Sequence, residues 1–161
     1  MQGDLFANFT GNEPGEAKNS NLATLETLNC DYQLIDTEEK RTKIIQKLLT
    51  SKILSLDTET TGTEPMDAEL VGMSFSIAEN EAFYVPVPAD QEEALKIVNE
   101  FRPVFENENS LKVGQNIKYD MIVLQNYGAV VKGPLFDTMI AHYVLQPELR
   151  HGMDYLAEIY L

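Results

Sequence analysis

Ile53-Leu54-Ser55-Leu56-Asp57-Thr58-Glu59-Thr60-Thr61-Gly62 is the stretch around which the rest of the chain falls into place. Its apolar opening has the length and composition of one buried strand, and Gly62 supplies a turn after it. Residues two apart on a strand point to the same face, so Asp57 and Glu59 project together from the strand's end. Two neighbouring carboxylates repel each other unless a shared proton or a divalent cation neutralises them. Hard cations such as Mg²⁺ take oxygen ligands, which makes the pair a candidate half of a metal site. The triplet alone is unspecific. With 26 Asp and Glu in 161 residues, a D-x-E arises by chance about once.

Upstream, Cys30 to Ile35 reads as a short strand. Asp36 with Glu39 fits an N-cap and capping-box partner for a helix whose apolar face is Ile44, Ile45, Leu48 and Leu49. Lys40, Arg41, Lys43 and Lys47 lie around that helix and read as its solvated surface. Residues 1–29, rich in Asn, Gly, Glu, Ser and Thr, show no sustained period and read as a flexible linker, which leaves 30–161 as the folded domain.

Downstream, Val71, Met73, Phe75 and Ile77 alternate with small residues, a turn follows at Glu79-Asn80, and Ala82 to Val87 forms the next strand. Pro86 places that strand at an edge or at its own end. Gln91 to Asn107 has helical periodicity, with Pro103 expected to kink or end it. Leu111 to Asn116 is a further strand and leads into a helix from Lys118 to Tyr127 that stops at Gly128. On that helix Asp120 shares a face with Val123, Leu124 and Tyr127, at the rim of the core. Val130 to Phe136 reads as a fifth strand of the sheet, Asp137 as the N-cap of the helix Thr138–Leu145, and Met153 to Ile159 as a last helix. Strands followed by strand–helix alternation imply an α/β fold, a mixed five-stranded sheet flanked by helices.

Composition sets bounds. A chain of 161 residues with 43% hydrophobic content suits one soluble globular domain. No apolar run reaches the length of a membrane span, and no signal peptide is evident. The single Cys30 excludes an internal disulfide and fits a reducing, cytoplasmic setting. The net charge of -14 repels nucleic acid at long range, so contact with phosphate requires cations or a basic neighbour.

Four ordered blocks carry a resemblance: Leu56-Asp57-Thr58-Glu59-Thr60, Val113-Gly114-Gln115-Asn116-Ile117-Lys118-Tyr119-Asp120, Phe136-Asp137-Thr138-Met139, and Arg150-His151-Gly152-Met153-Asp154-Tyr155-Leu156-Ala157-Glu158. From about Cys30 to Leu161 the chain resembles the 3′→5′ exonuclease domain of bacterial DNA polymerase I, a member of the DEDD exonuclease superfamily with a ribonuclease-H-like fold. The resemblance implies that Asp57, Glu59 and Asp120 are catalytic metal ligands for two divalent ions, Mg²⁺ in the first place, with Mn²⁺ or Zn²⁺ as alternatives. The ions would serve two-metal hydrolysis of the 3′-terminal phosphodiester. It further implies that Thr58, Gln115, Asn116, Tyr119 and Arg150 contact the single-stranded 3′ end of DNA. The implied partners are that DNA and the polymerase and 5′ nuclease domains of a parent chain, with no membrane. Without the resemblance, Gln115 and Asn116 would equally serve to cap a strand-to-helix turn, Tyr119 would be an ordinary partly buried aromatic, and His151 an ordinary loop histidine.

The family's third motif, a Tyr-x-x-x-Asp on a later helix, is not found after Asp120. Tyr155 is followed four residues on by Ile159, and Tyr160 only by Leu161. The expectation is therefore a domain incomplete at its C-terminus, with three of four metal carboxylates, part of its sheet uncovered, and activity lost or impaired. Two alternatives accompany it: an RNase-D-like exonuclease that trims RNA, and a non-catalytic structural domain of a polymerase.

Overall fold

A computed structural model describes residues 29–161. The linker expected at 1–29 lies, apart from Asn29, outside the described residues. The elements run β1 (Asp31–Leu34), α1 (Glu38–Leu49), β2 (Ile53–Thr60), β3 (Leu70–Ala78), β4 (Glu81–Pro86), α2 (Gln91–Phe105), β5 (Leu111–Gly114), α3 (Lys118–Asn126), β6 (Leu135–Asp137), α4 (Thr138–Leu145) and α5 (Met153–Tyr160).

The strands form one mixed sheet in the order β1-β4-β3-β2-β5-β6. β2, β3 and β4 are an antiparallel meander, while β1 joins β4, β5 joins β2 and β6 joins β5 in parallel. Asn80 takes φ 59° in the β3–β4 hairpin, a left-handed turn position that Asn tolerates. Leu54, Leu56, Met73, Phe75, Phe83 and Val85 line one face and share a single core with Ile44, Ile45 and Leu48 of α1, Val98, Phe101 and Phe105 of α2, and Val123 and Leu124 of α3. Phe75 and Phe101 stack with ring centroids 5.2 Å apart. The alternate positions Ser55, Asp57, Glu59, Ser74 and Ser76 face the other way and none of these five is buried.

The sheet has six strands rather than the expected five. The additional one is β1, whose four residues are all exposed, so it pairs as an edge without the hydrophobic alternation that marks a core strand. The strand expected at Val130 to Phe136 shrinks to Leu135–Asp137, because Gly133 turns the backbone to φ 87° and Pro134 has no N–H to give a ladder. Thr37, not Asp36, caps α1: its side chain accepts from the Lys40 amide at 3.3 Å. Asp36 pairs instead with the Lys40 ammonium at 2.7 Å, which lowers its pKa. Arg41 departs from the solvated row expected of α1. It is buried and bridges to Glu100 of α2 through Nε–Oε2 at 2.6 Å and Nη2–Oε1 at 3.2 Å. α2 continues through Pro103 to Phe105. The lost helical bond costs about 3 kcal/mol. Burial of Val104 and Phe105 beyond the proline, each contributing about 1.5–3 kcal/mol, offsets it.

Candidate active site

β2 outruns its neighbour. Its ladder with β5 ends at the pair Ser55↔Val113, and β5 itself stops one residue later, at Gly114, before the turn into α3. Asp57 to Thr60 therefore have a strand partner only on the β3 side, where Asp57 faces Ser74 and Glu59 faces Gly72. The free flank is met by α3. Asp120 Oδ1 accepts the Thr58 amide at 2.8 Å and the Thr58 hydroxyl at 2.6 Å. An amide that ladder pairing would have satisfied is thus satisfied by a carboxylate, and that pairing fixes Asp120 at the end of β2.

Asp57 and Glu59 project from the open face, as their spacing predicts. Burial raises the Asp57 pKa and the Glu59 charge raises it further. Asp120, 2% exposed, is pushed up to about 6, chiefly by burial and then by the Asp57 charge, while the two bonds from Thr58 pull it back. The Glu59 charge thus acts on Asp57 and the Asp57 charge on Asp120, a crowding of like charges that a hard cation would relieve, so the donor chemistry fits divalent ions. The geometry is not a closed cage: among the described residues no three His, Cys, Asp or Glu side chains stand together as a metal-holding group. Asp120 is turned to Thr58, whose amide and hydroxyl both donate to its Oδ1.

The residues expected around the carboxylates divide into two groups. Thr58, Asn116 and Tyr119 line a groove with Glu59, Thr60, Thr61, Gly62 and Thr63. The Tyr119 hydroxyl lies 2.7 Å from Thr60 Oγ1 and donates to the Gly62 carbonyl at 2.5 Å, which ties α3 to the loop after β2. Asn116 sits at φ 58° in the turn before α3, with its side-chain oxygen accepting from Lys118. Thr58 also gives its hydroxyl to Asp120. The other two expected contacts are engaged elsewhere. Gln115 spans inward contacts, donating to the His151 carbonyl at 2.6 Å and accepting from the Thr138 hydroxyl at 2.5 Å. Arg150 stacks on the Tyr155 ring with its guanidinium carbon 5.1 Å from the ring centroid.

Asp137 does more than cap α4. Its carboxylate accepts from Met139 N at 2.9 Å and Ile140 N at 3.2 Å, and also from Asn116 N at 3.1 Å and Ile117 N at 3.0 Å. It thereby holds the turn that carries Asn116 and, one helical turn on, Asp120. The sequence shows the cap but carries no local signal for the second pair, which spans some twenty residues of chain. Thr58 as the anchor of Asp120 is equally silent, because a threonine in a strand is unremarkable on propensity grounds.

Comparison with known proteins agrees with this geometry. A family model described as 3′-5′ exonuclease matches residues 32–161. The chain is 36% identical over 152 residues to DNA polymerase I of Borreliella burgdorferi, covering 92% of this chain and 17% of that protein. It is 34% identical over 158 residues to DNA polymerase I of Pseudomonas aeruginosa, again 92% of this chain and 17% of the relative. The chain thus spans about a sixth of the length of these relatives. Among solved structures, Brucella melitensis NrnC with bound Mg²⁺ superposes with a TM-score of 0.62 at 20% identity, over 82% of this chain and 62% of that one. Escherichia coli RNase D, an exoribonuclease, does so with a TM-score of 0.62 at 19% identity, over 81% of this chain and 33% of that one. At such identities these two likenesses establish the ribonuclease-H-like fold. The match over 32–161 and the identity to the polymerases go further: the chain belongs to the 3′-5′ exonuclease family carried within DNA polymerase I.

Proposed function

We propose that this chain is the proofreading exonuclease module of a DNA polymerase I, removing nucleotides from a single-stranded 3′ end with the help of two divalent ions, Mg²⁺ by preference. The observation that carries the proposal is the pair of bonds from Thr58 that fixes Asp120 at the unpaired end of β2, the strand end from which Asp57 and Glu59 project, inside the ordered motifs of the family. Asp57 and Glu59 would hold metal from the open face and Asp120 from the strand's flank. The ions, when bound, would supply an activated water and charge stabilisation at the leaving 3′ oxygen. They would also turn an acidic cleft in a chain of net charge -14 into a receptor for phosphate.

The protein's own part is positioning. Thr58 holds Asp120, Asp137 holds the turn into α3, and Tyr119 holds the loop Thr60–Thr63, so the groove beside Glu59 keeps its shape for a terminal nucleotide. Asn116 and Tyr119 offer an amide and an aromatic ring to sugar and base, contacts suited to a strand of any sequence. Gln115 and Arg150 would reach the strand only by leaving their present partners.

The test is release of mononucleotides from 3′-labelled single-stranded DNA and from the matching RNA, with Mg²⁺ or Mn²⁺, beside the Asp57→Ala variant. Metal-dependent release from DNA, abolished in the variant, supports the proposal. Faster release from RNA would favour the trimming activity instead, since a ribose-reading site uses the 2′-OH. Absent release from either strand, with metal uptake that depends on Asp57, would keep the metal-site assignment and refute hydrolysis by this chain. Release that survives Asp57→Ala would overturn it.

A further inference from the structure

Gly72 and Tyr84 meet on the open face of the sheet, next to the carboxylates. β3 presents Gly72 to Glu59 of β2 on one side and Ser74 to Tyr84 of β4 on the other. Directly opposed residues place their Cβ atoms on one face about 5 Å apart. A Cβ on Gly72 would therefore mark a point about that far from the Cβ of Glu59. Tyr84 already occupies that point. A Cβ there would lie 2.5 Å from ring carbon Cε2 and closer still to Cζ and the hydroxyl oxygen. The ring thus lies across β3 instead of standing off the sheet, and its hydroxyl end is carried toward Glu59.

The local sequence explains the pose. Phe83 and Val85 are buried in the core, 2% and 0% exposed, so Tyr84 between them must face outward. Over any residue larger than glycine at 72 the ring would have to rise. The Glu59 side chain is exposed, near the end of its strand.

We propose that Tyr84 is a positioning residue for Glu59: its hydroxyl donates to the Glu59 carboxylate and holds it in the orientation that faces the cation site. The assignment rests on the reading of Asp57, Glu59 and Asp120 given above. A hydrogen bond to a ligating carboxylate fixes its direction before the ion arrives, and removing such an outer partner commonly weakens metal affinity by 10–100-fold. Gly72 is then the second part of the device, since the phenol reaches β2 only over a residue without a side chain.

The test has a metal-free part and a metal-bound part. In the metal-free protein, nuclear Overhauser contacts are expected between the Tyr84 ring and the Glu59 side-chain methylenes. Tyr84→Phe should keep those ring contacts and the thermal midpoint while weakening Mn²⁺ binding by about tenfold. Gly72→Ala should abolish the contacts and weaken Mn²⁺ binding at least as much. Asp57→Asn separates the two layers of the argument. If Asp57→Asn abolishes Mn²⁺ uptake but Tyr84→Phe binds like the wild type, the role of Tyr84 is refuted and the site stands. Should Asp57→Asn leave uptake intact, the site assignment itself has failed. Absence of Tyr84–Glu59 contacts in the metal-free wild type would refute the placement outright.

Discussion

Asp120→Asn should make the metal-free protein more stable at neutral pH. Asp120 is 2% exposed, and its pKa stands at about 6 against an ordinary 3.8. A carboxyl raised on folding keeps its proton in the native state while the unfolded chain releases it. Between about pH 4 and pH 6 the native state therefore binds more protons, and stability falls as pH rises. Two pKa units correspond to about 3 kcal/mol, fully lost by pH 7.5. Asparagine has no charge to bury, and its carbonyl oxygen can still accept from the amide and hydroxyl of Thr58. Its amide group would replace Oδ2 and add no charge beside Asp57. The expected gain is about 2–3 kcal/mol at pH 7.5, shrinking toward zero at pH 4. Urea unfolding in the presence of a chelator, at both pH values, measures it. A variant less stable than the wild type at pH 7.5, or a difference that ignores pH, would refute the reasoning. The variant should also lose metal uptake, a gain in stability at the expense of function.

Three further outcomes are expected. Thr58→Val removes the 2.6 Å hydroxyl bond to Asp120 and should cost about 1–2 kcal/mol at pH 7.5 by urea unfolding, with the Asp120 pKa moving above its present value in an NMR titration. Mn²⁺ affinity should fall as pH drops below 6, approaching tenfold per unit because Asp120 must lose its proton to ligate; calorimetry across pH 5 to 7 checks this. Asp137→Ala strands the amides of Asn116, Ile117, Met139 and Ile140. It should cost about 3 kcal/mol, and faster amide exchange at 116 and 117 would show that the turn into α3 has loosened.

Most of the site's chemistry was legible because it is periodic. Alternation of Leu54 and Leu56 with Ser55 and Asp57 defines which face β2 buries, and the same period puts Glu59 with Asp57. Helical spacing likewise placed Asp120 on the side of Val123 and Leu124 that enters the core. What escaped were links between residues remote in the chain. Nothing local to Thr58 announces that its amide and hydroxyl hold a carboxylate 62 residues away. Nothing local to Arg41 announces Glu100, 59 residues on, which lets a charged side chain enter the α1–α2 interface. β1 was legible as a short strand but not as a member of the sheet, because an edge strand exposed at all four positions has no buried face to leave a period. Val130 and Val131 suggested a strand by composition, yet Gly133 and Pro134 have backbone requirements that a ladder cannot meet.

Low-temperature electron paramagnetic resonance of Mn²⁺ titrated into the chain, beside Asp57→Asn, addresses the central claim most directly, since free and bound ions give separate signals. The account predicts saturable uptake by the wild type and its loss in the variant. Uptake of the same strength in both proteins, or none in either, would contradict the assignment of Asp57, Glu59 and Asp120 as the metal-holding end of β2.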